Sequence, residues 1–531
     1  KIILSDRMLI PKELIPLKAI KQRYLIELFN DKMCDKCENK EFRSASNELC
    51  KSCEGLEGSY KLFKELEQHW SVPQGDELSL TKLLDKKNID YIIKDKRPEH
   101  KQKFPIKFTG KLFGEGYVDE NGISRINQKK LVKEWLKYKN GILKAKPRSG
   151  KTVMSVFLAC YMKQRVIILA DRFELLNQFY RTFMGYKRKR LPPRTNIPEL
   201  RKKYGKEIIR LAKKPKDLTN LKNVDILLLN YQKLVRDPKR MLKLIDSGKY
   251  SFLIVDEVHG SGADGYLKVV SQASVKHRLS LTATDRRKDN RHRLIYRIMG
   301  PVVAKSGSAS LIPEIRIRQS KAFPTDRKGK PINYKQWHHA MSWLCSNKAL
   351  QVELLQALFH DLRNGHTHII VPLDRKKHID MLVKMVNQQA ATNNKQRGEN
   401  WPKDLAIKFY DGVDRQDVLD KVDRKKPVIL FGMRSMIKQG IDFQLPSKIH
   451  VFIPMSASND RETGAPMLEQ LGNRVATPAN KPSPVIDIWF HNVKFFFNCN
   501  SGLFWNEAWP NRVTTQNKYG KYRIADDTYQ K

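Results

Sequence analysis

From residue 122 onward, short apolar runs alternate with longer stretches whose apolar residues recur at helical spacing. This is the pattern of a parallel sheet with helices on both faces. The first series of runs predicts strands at 141–145, Val166–Ala170, Asp225–Asn230, Phe252–Asp256 and Leu279–Thr282. A second series predicts strands at His368–Pro372, Leu405–Tyr410, Val428–Gly432, Ile449–Pro454 and Val485–Phe490. The expected fold class is therefore α/β, with two units at 122–305 and 306–495 and a tail at 496–531. Upstream the pattern is weaker. It predicts a helix from Ile20 to Phe29, helical basic sequence over 60–100 and a linker near Pro98–Pro105. Phe104–Val118 alternates enough for a hairpin, with Gly114 and Gly116 as turn candidates, but a plain extended segment docking on the next domain is the favoured reading. These stretches divide into an amino-terminal region, 1–57, and a basic accessory region, 58–121. Helical spacing through Gln336–His360 puts His338 and His339 on a helix surface rather than in a ligand set.

Charge changes the picture most. The 531 residues hold 101 Lys and Arg against 56 Asp and Glu, a formal net charge of +45. So large an imbalance calls for a polyanionic partner, nucleic acid first and an anionic membrane surface second. No apolar run approaches the roughly 18 residues a spanning helix needs, and the run at Ile2–Leu4 is too short for a signal peptide. The expected setting is a reducing compartment, cytoplasmic or nucleoid-associated, with a virus-encoded protein acting in a host cell as one version of it. Lys187–Lys216 is dense in Lys and Arg, with only Glu199 and Glu207 as acids. It reads as a solvated basic loop or as a phosphate-gripping arm, and its place between the Val166–Ala170 and Asp225–Asn230 strands favours the arm.

Seven cysteines are present. Cys34 and Cys37, then Cys50 and Cys53, form two C-x-x-C pairs at a separation suited to tetrahedral thiolate coordination of a structural Zn²⁺. A redox pair or free thiols are the plainer alternative. Cys160, Cys345 and Cys499 are isolated and read as buried apolar residues. Phe495–Phe497, Trp505 and Trp509 read as packing residues rather than base-stacking ones.

Two stretches carry chemistry. Gly141-Ile-Leu leads into Ala145-Lys-Pro-Arg-Ser149-Gly150-Lys151-Thr152 and then into helix formers, a strand, tight loop and helix start. Apart from Ala145 in the first glycine's place, this is a phosphate-binding loop. Gly150 lets backbone N–H groups close on phosphate oxygens at a helix N-terminus, Lys151 reaches the β- and γ-phosphates of ATP, and Thr152 offers a hydroxyl to Mg²⁺. Downstream, the apolar strand Phe252–Val255 ends in Asp256-Glu257-Val258-His259. There Asp256 would hold Mg²⁺ and Glu257 would orient and deprotonate the attacking water.

In this order the sequence resembles superfamily 2 helicases and translocases across most of 125–478, which implies two tandem RecA-like domains. Arg125-Ile-Asn-Gln128 resembles the adenine-reading element, with Gln128 on the base. Ala170–Gln178 and Asn230-Tyr231-Gln232 resemble backbone contacts to nucleic acid, and Asp256–His259 is the DExH box. Leu281-Thr282-Ala283-Thr284 resembles the element that couples hydrolysis to strand movement, His259, Thr282 and Thr284 being the coupling residues. Gly432–Asp442 resembles the nucleotide-sensing loop, with Gly440 beside the nucleotide and Asp442 on the ribose. The stretches Leu281–Asp289 and Met299–Val303 are most like the XPB-like, UvsW-like and type III restriction-subunit branch. One motif departs from the family's pattern. Aligned on Arg474 and Pro478, Gln470 is in place, Asn473 replaces a glycine and Thr477 stands where the finger arginine belongs. Arg474 is then the second unit's cation, with Arg434 or Arg461 as compensating candidates.

The resemblance implies an ATP-dependent DNA helicase or translocase acting on duplex or branched DNA in replication, recombination or repair. DNA is favoured over RNA, with protein partners in a replication, repair or restriction assembly and no membrane. Two other readings stay open: the motor subunit of a restriction or nuclease system, and a weakly hydrolysing nucleic-acid-binding clamp.

Overall fold

The computed structural model describes residues 1–28, 58–117, 126–145, 149–170, 173–186, 191–230, 249–258, 270–271, 273–282, 292–306, 314–319, 329–330, 337–410, 422, 425–438, 446–453, 475, 482–490 and 524–525. The chain forms two compact units, residues 1–117 with 125–307, and 118–124 with 308–531.

The first unit begins with short strands: β1 Ile2–Leu4, β2 Met8–Pro11, β3 Leu25–Leu28, β4 Gly58–Lys61, β5 Lys64–Glu65, β6 His69–Val72 and β7 Ile93–Asp95. Five of them make one sheet in the order β5-β6-β2-β1-β7, so strands from both sides of residue 57 share it. The expected helix Ile20–Phe29 is instead α1, Leu17–Tyr24, followed by β3. Leu, Ile and Glu are fair helix formers, but antiparallel pairing with β4 holds Leu25–Leu28 extended. The helical reading of 60–100 is corrected too: only α2, Glu77–Lys86, and a short 3₁₀ turn at Gln74–Asp76 are helical there, among β4 to β7.

The main sheet of this unit has seven parallel strands: β8 Asn140–Lys144, β9 Val166–Ala170, β10 Ile209–Ala212, β11 Ile226–Asn230, β12 Phe252–Val255, β13 His277–Thr282 and β14 Val302–Lys305, in the order β10-β11-β9-β12-β13-β8-β14. Helices α3 Gln128–Tyr138, α4 Lys151–Tyr161, α5 Phe173–Met184, α6 Ile197–Tyr204 and α7 His292–Met299 lie between and beside the strands in sequence. Strand period explains the two cores. In β9, Val166, Ile168 and Ala170 pack on one face with Met154, Leu158 and Phe179. Ile167 and Leu169 pack on the other with Leu294, Ile298 and the amino-terminal sheet's Ile10, Trp70 and Val72. Each such fully buried aliphatic side chain contributes about 1.5–3 kcal/mol.

The amino-terminal sheet is fastened through Asp76, which is fully buried. Its carboxylate accepts from Arg23 Nε at 2.6 Å, Tyr24 Oη at 2.8 Å and Arg297 Nη1 of α7 at 2.9 Å. Gln74 Nε2 donates to Ala273 O at 2.8 Å.

Between α2 and α3 the described residues of 104–118 form no hairpin, as the favoured extended reading expects. That stretch docks as extended chain, with one isolated bridge from Phe108 to Thr195. The basic segment 187–216 is partly regular: it supplies α6 and the edge strand β10, whose Ile209 and Ala212 are buried.

The second unit repeats the plan with β15 Glu314–Gln319, β16 His368–Leu373, β17 Ala406–Phe409, β18 Val428–Met433, β19 Lys448–Val451, β20 Val485–Phe490 and β21 Ile524–Ala525, all parallel, in the order β17-β18-β16-β19-β20-β15-β21. Its helices are α8 Trp337–Ser346, α9 Lys348–Arg363, α10 Lys376–Arg397 and α11 Arg434–Lys438. His338 and His339 are exposed on α8 as the periodicity predicts. Cys160 is buried, and burial pushes its thiol up to about 12. Cys345 is half-buried with its Sγ 3.2 Å from His378 Nδ1.

Under α9 the second unit holds a buried ionic cluster. Arg318 binds Asp487, Lys448 Nζ lies 2.9 Å from Asp487 and 3.4 Å from Asp361, and His450 Nε2 is 2.8 Å from Asp361. Burial alone would raise Asp361, but the His450 bond and the charges of His450, Lys448 and Arg318 outweigh it and hold the group well below the usual carboxylate range. Asp361, His450 and Asp487 converge closely enough for a cation. Arg318 and Lys448 already balance the two carboxylates, so the cluster reads as a closed charge network.

Burial, with nearby cations adding to it, pushes His277, His366 and His378 each down to about 4. An unfolded histidine titrates near 6.5. Between those values the unfolded chain binds protons that the folded one does not, so stability is complete above about pH 6.5 and falls as pH drops toward 4. Going from pH 7.5 to 5 should remove on the order of 2 kcal/mol per buried histidine. Urea unfolding at both values tests this, and an unchanged midpoint would contradict the neutral assignment.

Candidate functional site

In a parallel sheet every strand ends on the same side. The neighbours β12, β13 and β8 therefore bring Asp256, Thr282 and the 145–151 loop to one edge. Ala145 N donates to Thr282 O at 2.9 Å, joining the loop to the end of β13. Asp256 N donates to Leu169 O at 2.9 Å, so β12 stays in register up to its first carboxylate.

The loop turns into α4 at Gly150, whose φ is +82°. A side chain there would be strained in any case, and its Cβ would sit 2.2 Å from Gln128 Nε2. Gln128 is 3 % exposed and is held at both ends of its amide. Nε2 donates to Ser149 O at 2.9 Å, and Oε1 accepts from Phe113 N at 3.1 Å. The amide is thus fixed against the loop, with Asn127 capping α3 through Lys130 N at 2.9 Å. Gly150→Ala should displace Gln128 and weaken ATP binding by roughly tenfold, about 1.4 kcal/mol. Titration with a fluorescent nucleotide would show it, and an unaltered Kd would mean that Gln128 does not shape the site.

Lys151 is the first residue of α4, where the helix N-terminus carries partial positive charge. Its Nζ donates to Ala145 O at 3.1 Å and lies 3.8 Å from a Glu257 carboxylate oxygen. Glu257 has φ +49°, a left-handed backbone at a strand end that costs a non-glycine residue about 1–2 kcal/mol. Its N–H donates to Asp256 Oδ1 at 3.0 Å. The turn sets the two carboxylates at different depths: Asp256 is 6 % exposed, and the Glu257 side chain is 31 % exposed.

The Ser149 hydroxyl is buried and has no hydrogen-bond partner among the described residues. An acceptor such as a phosphate oxygen would satisfy it, and the helix N-terminus with Lys151 would favour an anion there. The donor set therefore fits a nucleoside triphosphate with Mg²⁺. Thr152 follows in the first turn of α4.

Gln128, Ala145, Ser149, Gly150, Lys151, Thr152, Asp256, Glu257 and Thr282 thus all sit on the strand-end side of one sheet. His259, Thr284, Gly440, Asp442, Arg461, Arg474, Thr477 and the four clustered cysteines Cys34, Cys37, Cys50 and Cys53 lie outside the described residues. Of the compensating arginines only Arg434 is described, and its guanidinium donates to Asp374. Sequence reasoning missed the Phe113–Tyr117 ring pair, stacked at 4.5 Å with 16° between planes, with Lys111 Nζ 4.9 Å from the Tyr117 centroid. Two aromatics four apart, shortly before an Asn-Gln helix start, were the available signal.

A parallel α/β sheet with a phosphate-type loop and an Asp-Glu pair at neighbouring strand ends is an arrangement suited to a nucleoside triphosphate. Residues 123–287 match the family model described as type III restriction enzyme, res subunit. A stretch of 184 residues is 25% identical to the DNA 3'-5' translocase XPB2 of Sulfurisphaera tokodaii, covering 35% of this chain and 36% of that protein. The match thus spans about a third of the relative's length. Among solved structures, Mycobacterium smegmatis helicase Lhr bound to ssDNA and AMP-PNP matches at TM-score 0.45 and 13% identity over 75% of this chain and 48% of that one. T4 UvsW gives TM-score 0.32 and 14% identity over 88% and 90%. A putative HsdR subunit of a type I restriction enzyme from Vibrio vulnificus YJ016 gives 0.46 and 13% over 75% and 66%.

Proposed function

We propose that the protein is an ATP-dependent DNA helicase or translocase acting on duplex or branched DNA in replication, recombination or repair. The observation that carries the reading is the meeting of Lys151 and Glu257, 3.8 Å apart, where the loop before α4 faces the end of β12. Bound ATP with Mg²⁺ supplies the phosphoanhydride to be cleaved. Lys151 exchanges Ala145 O for phosphate oxygens, and Ser149 and Thr152 offer hydroxyls, Thr152 to the metal. Asp256, buried at the end of β12, would be the second residue to hold the metal. Glu257, on its left-handed turn, takes the proton from the attacking water. Gln128 reads the base edge, and the Phe113–Tyr117 pair offers it a flat apolar neighbour.

The roles given to His259, Thr284, Gly440, Asp442 and Arg474 rest on the motif resemblance. The four cysteines Cys34, Cys37, Cys50 and Cys53 are proposed to hold one structural Zn²⁺. Their segment leaves from Leu28 and returns at Gly58, which are paired residues. Metal analysis of purified protein is expected to give about one zinc per chain, as four thiolates bind a single tetrahedral ion.

The test is ATP hydrolysis measured alone and with single-stranded DNA, duplex, forks, four-way junctions and RNA. Stimulation by duplex or branched DNA above RNA is expected, and hydrolysis indifferent to every nucleic acid would sink the reading. The restriction-subunit domain match favours a second reading, the motor of a nuclease system. Cleavage of plasmid with Mg²⁺ and ATP, by the chain or by a co-purifying subunit, would select it.

A further inference from the structure

Residues 98–117 cross the first unit as a strap; Phe113 N near its end donates to Gln128 beside the nucleotide loop, while the contacts of 101–109 lie elsewhere. Its backbone is pinned: Lys103 N and Phe104 N donate to Asp225 Oδ2 at 2.8 and 3.0 Å, Lys107 N donates to Asn196 Oδ1 at 2.7 Å, and Thr109 N donates to Arg194 O at 2.9 Å. Side chains alternate along it. Gln102, Phe104, Ile106, Phe108 and Leu112 turn inward, Gln102 Nε2 reaching Ala159 O of α4 at 2.9 Å and Phe108 meeting Phe157 at 5.4 Å. Lys101, Lys103, Lys107 and Lys111 turn outward and are exposed. α6 runs beside the strap, its Tyr204 ring 5.4 Å from Phe104, and it adds exposed Lys202 and Lys203, with exposed Lys206 just beyond.

Backbone bonds and inward rings hold the strap, and the ammonium groups of Lys101 and Lys107 add no ion pair to it among the described residues. Among the described residues Lys101, Lys103, Lys107, Lys202 and Lys206 have no ion-pair partner. A row of unpaired cations beside a second cationic element, on a chain of +45, is self-repelling. A polyanion laid along the row reverses that sign.

We infer that the strap and α6 together form a second nucleic-acid surface that grips phosphate backbone, separate from the strand-end site. Ala159 lies about 12 Å along α4 from Lys151. A lipid surface fits less well, since α6 buries its apolar Ile197 and Leu200 and turns a charged face outward. The choice of nucleic acid rests on the motor reading; the surface itself rests on the strap's geometry.

The experiment uses the full chain and three variants: Lys101→Glu/Lys103→Glu/Lys107→Glu, the same three positions changed to Gln, and Lys151→Ala. Anisotropy with a labelled duplex of about 30 base pairs is recorded from roughly 50 to 200 mM salt, without nucleotide. The expected result is a log–log salt slope shallower by about 2.7 in both triple variants, as three lost phosphate contacts require, with affinity at low salt down at least about tenfold. ATP hydrolysis without DNA should stay at the parent's rate in the triple variants, while Lys151→Ala loses hydrolysis and keeps the parent slope. The Gln variant carries the test if the Glu variant melts early. Parent-like slope and affinity in a folded triple variant would overturn the inference and leave the motor reading standing. Binding lost to phosphatidylserine vesicles but retained to duplex would overturn it in favour of a lipid surface.

Discussion

Lys151→Ala is expected to lower nucleic-acid-stimulated ATP hydrolysis by roughly 100-fold or more, the scale seen when one preorganised charge-stabilising donor is lost. In the structure Nζ is poised rather than committed. It bonds Ala145 O at 3.1 Å and stands 3.8 Å from Glu257, so an arriving phosphate replaces a neutral acceptor and a loose ion pair. The fold should survive, because α4 is held by Met154, Leu158 and Ala159 in the core and by Gly150 at its start. Glu257→Gln should lose hydrolysis comparably yet keep nucleotide affinity, since it removes the proton acceptor and not a phosphate contact. Steady-state rates and nucleotide binding measured side by side separate the two. Wild-type hydrolysis in either variant would place the chemistry elsewhere.

The second large effect concerns stability. Asp487→Ala should destabilise the second unit by about 3–5 kcal/mol, because it leaves Arg318 and Lys448 buried against one remaining carboxylate. Asp487, Lys448 and His450 are all fully buried, so water cannot take the lost partner's place. Pairing Asp487→Leu with Lys448→Met removes one charge of each sign and should recover much of the loss. Denaturant unfolding of the parent, both singles and the double closes the cycle. Additive losses would mean that the two groups do not act as a pair.

The central strands were legible because both their faces are buried. Val166–Ala170 and Val485–Phe490 stand where apolar runs predicted them. The two edge strands of the first unit's main sheet were not, although β17, at the edge of the second unit's sheet, was. β10 is a short Ile-Arg-Leu-Ala run inside a basic stretch, and β14 follows directly on Gly300-Pro301. β15 reads Glu-Ile-Arg-Ile-Arg-Gln, the alternation of a half-solvated strand, yet Arg318 ends in the ionic cluster. No local pattern encodes that, because Asp361 and Asp487 reach it from α9 and β20. The amino-terminal strands were missed for a related reason: pieces of two to four residues leave too little period to read. At the candidate site, motif spacing placed the loop and the carboxylates on one edge. It could not show that Gln128 is clamped between Ser149 and Phe113, since the alternation of the strap supplying Phe113 says that it is extended but not what it docks on.

Leu28 and Gly58 face each other across an antiparallel pair, so everything between them departs and returns through a single doorway. Such a segment can be lengthened, shortened or exchanged with little effect on the sheet beneath it, because closing a longer loop adds only about 0.6 kcal/mol per doubling. A change of length within 29–57 should therefore leave the stability of the paired strands nearly unaltered.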